Sequence, residues 1–206
     1  MKPSEQRVLS GIQADLSRLT RYDDESIVHD AWIRQRYDCG CFPLLAPARR
    51  RAVETAWHEA GHAVAALAVG ARFSSASIHH SCGSDGRVHG ITGTAGQAYV
   101  IDAAGQIAER LRTWTMPERD SDLLEWLPTW KRDGGDARRF RRAVRERLGG
   151  DEVAAWRQAE NLLTPRRLQI RQLARALLVH PRHLPYPVAA ALAGPPGHQP
   201  QRPRAL

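Results

Sequence analysis

The pentad His58-Glu59-Ala60-Gly61-His62 constrains this chain more than any other feature. The chain's own composition would produce H-E-x-x-H by chance about 0.02 times, so coincidence is a weak explanation. On an α-helix each residue turns by about 100°, which leaves the two histidines about 40° apart around the axis and one turn apart along it. Both imidazoles can then reach one metal ion. Glu59 is offset from the pair, and in this motif its carboxylate faces a water on the metal rather than the metal itself. Zinc lowers the pKa of such a water toward about 7, and Glu59 can take its proton.

The flanking residues supply the helix that this spacing needs. The run Arg49-Arg50-Arg51 leads into a helix predicted over about 50–69, closed by Gly70 just past the last apolar position. Ala60, Gly61, Ala63, Ala65, Ala66 and Ala68 make it thin, so other backbone can approach closely. A glycine in mid-helix costs about 1 kcal/mol against alanine, so Gly61 points to tight packing near the metal. Burying a polar pentad in an apolar helix is costly, which argues against two incidental histidines.

A catalytic zinc takes three protein ligands and keeps one open position. Candidates for the third are Glu109, on a second apolar helix beside Ala104, Gly105 and Ala108, and Asp136, after Gly134-Gly135 at the start of an arginine-rich helix. His79, His80 and His89 on a predicted hairpin are the others. Spacing alone does not choose among them.

Elsewhere the pattern is mostly helical. Val8, Leu9, Ile12, Leu16 and Leu19 fall at helical spacing over 5–20, and 25–37 reads as a second short helix before Cys39-Gly40-Cys41-Phe42-Pro43. Alternation over 73–80 and 87–92, around Gly83-Ser84-Asp85-Gly86, predicts a β-hairpin. A helix over 97–114 is apolar on most sides and therefore central. A polar stretch with Pro117 and Pro128 follows, then helices over 136–148, 151–163 and 165–180, with Pro165 in the first turn of the last. The tail 194–206, rich in proline and glycine, reads as disordered.

Composition narrows the class. With 206 residues, 42% hydrophobic and 25% charged, the chain has room for one ordinary domain with a real core. No apolar run nears the 18 or so residues of a membrane span, and the first twenty residues hold no hydrophobic leader block. The only lysines, Lys2 and Lys131, follow no glycine, so a G-x-x-x-x-G-K-[ST] phosphate loop is absent. The net charge of +8 rests almost wholly on arginine, a bias that G- and C-rich codons also produce, so no specific nucleic-acid site is expected. Cys39, Cys41 and Cys82 make no disulfide framework and no four-sulfur site, and read as free thiols in a reducing cytoplasm.

The helix over 136–148 carries Arg138, Arg139, Arg141, Arg142, Arg145 and Arg147, read as a solvated face. Trp114, Trp126 and Trp130 flank the stretch before Asp136; core packing is the reading preferred over a cleft lining. The hairpin edge could pair with an extended peptide.

Trp57-His58-Glu59-Ala60-Gly61-His62-Ala63-Val64 resembles the metal-binding helix of the FtsH family of zinc metallopeptidases. Ala104-Gly105-Gln106-Ile107-Ala108-Glu109-Arg110-Leu111 is similar to that family's G-G-R-A-A-E-E-L segment, with Gln106 and Arg110 as departures. Gly134-Gly135-Asp136-Ala137-Arg138-Arg139-Phe140 resembles its G-A-S-N-D-[LI]-x-x-A segment, whose aspartate is a zinc ligand. The stretches 159–163 and 173–178 are similar to its closing helices. The family's membrane segments and AAA+ ATPase have no counterpart in the sequence.

The resemblance implies a mostly α, zincin-like helical peptidase domain with a small β-hairpin over 50–193, after an N-terminal helical extension at 1–49. It implies zinc on His58, His62 and Asp136, Glu59 as general base, and Glu109 beside the site, orienting a histidine ring. The expected activity is a cytoplasmic zinc metalloendopeptidase acting on unfolded or flexible protein segments without ATP, with a separate ATPase as a possible partner and the oligomer unspecified. The alternative is a non-catalytic zinc module that binds a protein partner or regulator.

Overall fold

Two helices precede the pentad, α1 (Pro3–Arg18) and α2 (Asp24–Ile33), in a computed structural model that describes residues 1–33, 46–78, 86–93, 95–130, 135–180 and 183–194. Leu9 and Ile12 bury the inner face of α1, and Leu19 follows just past its end. Asp23 accepts the Ser26 N–H at 2.7 Å and so satisfies a free donor at the start of α2. Asp24 accepts from the Trp57 indole at 3.0 Å and from Arg175 at 2.8 Å, which ties α2 to the body of the fold.

The pentad lies in α3 (Ala46–Ala68), which starts at Ala46 rather than near Arg50. Its end is a Schellman turn around Gly70, whose φ is +73°: Ala71 N–H bonds to the Ala66 carbonyl at 2.8 Å and Gly70 N–H to Leu67 at 3.2 Å. The chain then enters β1 (Ser75–Ile78) and returns antiparallel as β2 (Gly86–His89), with Ser77 opposite Arg87 and Ala76 opposite Val88. The hairpin is present, within the described residues; His79, His80 and Cys82 lie outside them, as do Cys39 and Cys41.

The central helix is α4 (Ala98–Thr113), which buries Val100, Ala104, Ile107, Ala108 and Leu111 among its neighbours. It crosses α3 at small residues on both sides. A Cβ on Gly61 would lie 2.6 Å from the Ala108 Cβ and closer still to the Ala104 carbonyl oxygen. That is the tight packing the mid-helix glycine predicts.

The polar stretch after α4, to which the sequence reading assigned no element, is partly ordered. It forms α5 (Asp120–Trp126), where the Arg119 N–H donates to Asp122 at 3.3 Å and Leu123 is buried. Two turns anchored by Leu123 and Trp126 are too short for periodicity to reveal. Next come α6 (Gly135–Leu148), α7 (Glu152–Leu163) and α8 (Arg167–Val179). Pro165 sits in a separate 3-10 turn, Thr164–Arg166, ahead of α8. Two elements were not anticipated. Strand β3 (Leu184–Pro185) pairs antiparallel with β1, giving the sheet order β2-β1-β3, and α9 (Tyr186–Ala193) follows it. A two-residue strand ending in proline carries no alternation to read. Residues 195–206, most of the expected disordered tail, lie outside the described residues.

Trp126 stacks on Trp130 at 5.9 Å and meets Trp156 edge-on at 5.0 Å, with Phe140 behind them. These tryptophans pack the seam between α5, α6 and α7 and do not line a cleft. Trp114 is exposed, at φ +55°, under the Arg167 guanidinium. The molecule is thus mostly helical with a small antiparallel sheet, and no helix among the described residues is long and apolar enough to cross a membrane.

Candidate metal centre

The two histidines project from adjacent turns of α3 into a cleft of about 730 Å³ between α3, β2, α4 and the start of α6. Their rings meet edge-on, 4.7 Å apart, with the Nε2 atoms separated by 3.0 Å. Asp136, in the first turn of α6, brings Oδ2 to 2.9 Å from His58 Nε2 and 3.3 Å from His62 Nε2. One ligand atom from each of the three residues lies within 4.8 Å of the other two.

The outer ring nitrogens are fixed from behind. His58 Nδ1 meets Glu109 Oε1 of α4 at 2.6 Å, and His62 Nδ1 meets the Ile101 carbonyl at 2.7 Å. When each Nδ1 carries the donated proton, both Nε2 lone pairs face the common point. A Cβ on Gly105 would lie 2.5 Å from the His58 ring, so only glycine leaves that ring its place. Among the earlier candidates, Glu109 contacts the far side of His58 and stays out of the cluster. His89 is exposed on β2, near Ser77 at 3.3 Å.

Glu59 is buried, at 6% exposure, on the cleft side of α3. The Val88 backbone amide of β2 donates to its carboxylate. A Cβ on Gly86 would lie 2.7 Å from Glu59 Oε1 and from Thr55 Cγ2, so β2 approaches α3 this closely only through a glycine. Burial pushes the Glu59 carboxyl pKa up, and the two histidines only partly offset that. Burial also works against a charged His58, yet its bonds to Asp136 and Glu109 push its pKa up to about 10. Asp136 is itself held well below the usual carboxylate range; burial would raise it, but the two histidine bonds prevail.

The sequence reading missed several contributors. The Val88 amide and the Ile101 carbonyl are backbone groups and leave no residue signature. Arg139 bonds both Asp136 Oδ1 and, at 2.8 Å, Asp102 Oδ1. Its spacing of three from Asp136 was the available signal, hidden within the arginine run.

The arrangement suits a divalent metal. Two imidazole nitrogens and one carboxylate oxygen converge, each ring is held from behind, and a buried carboxylate stands beside them in an open cleft.

Residues 32–112 match a family model described as Peptidase M50B-like. The matched segment contains His58, Glu59, His62 and Glu109 and ends before Asp136. It supports a metallopeptidase and protein or peptide substrates, and does not single out the FtsH type. No curated protein and no solved structure matches the chain.

Proposed function

We propose that this chain is a zinc metalloendopeptidase that cuts peptide bonds in unfolded or flexible protein segments without ATP. The observation that carries the proposal is the convergence of His58 Nε2, His62 Nε2 and Asp136 Oδ2 beside the buried Glu59. Two imidazoles, one carboxylate and an open side are a donor set that suits catalytic zinc. Two ligands from one helix and an aspartate from a later one also fit the FtsH-like order that the sequence resemblance implies. Zinc held there would act as a Lewis acid toward a peptide carbonyl and a water.

The protein groups do the rest. Glu59 is the general base: it lines the cleft, and burial makes its carboxylate more basic. It takes a proton from the attacking water and returns it to the departing amine nitrogen as the C–N bond breaks. Glu109 and the Ile101 carbonyl keep the histidine rings turned inward. The outer strand β2 borders the cleft, where an extended peptide can lie along it. Such a mode admits flexible segments and excludes folded ones. We place the activity in the cytoplasm, in line with the three cysteines read as free thiols, with a separate ATPase as the route to folded substrates.

The test is metal analysis together with casein cleavage, for the wild type and Glu59→Gln. One zinc per chain in both is expected, with ATP-independent cleavage by the wild type and a loss of at least about 10²–10⁴-fold in the variant. Equal cleavage by the variant would remove Glu59 from its role. Zinc in both with cleavage in neither would favour the binding module.

A further inference from the structure

We infer that Arg139 is a positioning residue for the metal centre, a strap that ties Asp136 to Asp102 so that one carboxylate oxygen faces the histidine pair. This rests on the proposal that His58, His62 and Asp136 bind zinc.

Asp136 reaches the histidines from the first turn of α6, across the cleft from the helix that carries them. Its two side-chain torsions allow many orientations, and only some put Oδ2 between the two Nε2 atoms. Arg139, one turn further on, settles the choice. Its Nη2 donates to Asp136 Oδ1 and its Nε donates to Asp102 Oδ1 at 2.8 Å. A guanidinium is a rigid planar fork, so fixing Nε on one carboxylate fixes where Nη2 holds the other. With Oδ1 taken by Arg139, Oδ2 is the oxygen left for the histidines, at 2.9 and 3.3 Å.

The other end of the strap is anchored firmly. The Asp102 side chain is only 14% exposed, and Asp102 follows Ile101, whose carbonyl holds His62. The same turn of α4 therefore sets one histidine directly and the aspartate through Arg139. The arginine also supplies a positive charge between two carboxylates that would otherwise repel. Arg142, on the same helix, pairs with Glu146 one turn along and belongs to the solvated face.

Zinc affinity by competition with a chromophoric chelator, and the visible spectrum of the cobalt-substituted protein, test the strap. Arg139→Ala should weaken zinc binding by about 10–100-fold, the usual effect of losing a group that orients a ligand. It should also change the cobalt spectrum at saturating metal. Arg139→Lys should recover part of the affinity, because it restores charge without the fork. Should Arg139→Ala not fold, the double variant Asp102→Asn/Arg139→Gln removes the buried charge with its counter-charge and should show the same spectral change. A merely structural arginine would lower thermal stability and leave the cobalt spectrum alone. Unchanged affinity and spectrum in the folded variant, with one zinc on the wild type, overturns the strap and leaves the zinc proposal standing. No zinc on the wild type overturns both.

Discussion

Gly61→Ala and Gly11→Ala make the same chemical change in two helices and should shift stability in opposite directions. Alanine is the better helix former by about 0.5–1 kcal/mol. At Gly11, on the exposed side of α1, nothing lies within 4 Å of the added methyl, so that gain should be realised. At Gly61 the methyl would sit 2.6 Å from the Ala108 Cβ, against an ordinary contact of about 3.5–4.0 Å. It would also press on the Ala104 carbonyl oxygen, which is backbone and cannot rotate away. Relief therefore requires α3 and α4 to part by about 1 Å, which forfeits roughly a quarter to a half of the dispersion at the contacts that open. Overpacking of this kind costs about 1–3 kcal/mol. Immovable obstacles put Gly61→Ala at the upper end, for a net loss of about 2 kcal/mol. In a chain of this size 1 kcal/mol corresponds to about 2–4 °C. Thermal unfolding followed by circular dichroism should show Gly61→Ala melting about 4–8 °C below the wild type and Gly11→Ala up to about 4 °C above it. A Gly61→Ala protein that melts at or above the wild type would refute the close crossing of α3 and α4.

Two further outcomes follow from the same structure. The His58 pKa of about 10, against an ordinary 6.5, adds stability that is full below about pH 6.5 and fades as pH rises through about 10. Asp136 is shifted the other way, so its share is present above its ordinary 3.8 and fades as pH falls below that. Metal-stripped protein should therefore melt highest between roughly pH 4 and 6.5, and added zinc should flatten the alkaline decline, because a ligating histidine is neutral. Melting scans across pH with and without chelator check this; an alkaline decline that zinc leaves unchanged would contradict it. Asp151 accepts the Ala154 N–H at 2.9 Å as the N-cap of α7, so Asp151→Ala should cost about 1 kcal/mol and about 2–4 °C, read in the same melts.

Much of the helical framework is legible in the chain. Helices α1, α6 and α7 follow their apolar periodicity to within a few residues because each buries one face, and α4 is legible because it is apolar on most sides. Helix α5 and strand β3 are too short for a period to show. The tryptophans illustrate a different gap. Composition says that Trp126 and Trp130 must be covered by something, and only the approach of α7, with Trp156, says by what.

What the sequence determined by itself is local. His58 and His62 share a helix face because four residues make about one turn, and no later packing can alter that. Gly61 announces a close neighbour because a mid-helix glycine costs about 1 kcal/mol against alanine. Which carboxylate meets the histidines was decided by tertiary structure: Glu109 and Asp136 are both acids on helices, and spacing cannot rank partners 51 and 78 positions away. Packing α4 across α3 puts Glu109 behind the His58 ring, while α6, entering at the open end of the cleft, brings Asp136 in front of it. Backbone groups settle the rest, since the Val88 amide and the Ile101 carbonyl are common to every residue type and act here only through where the fold sets them.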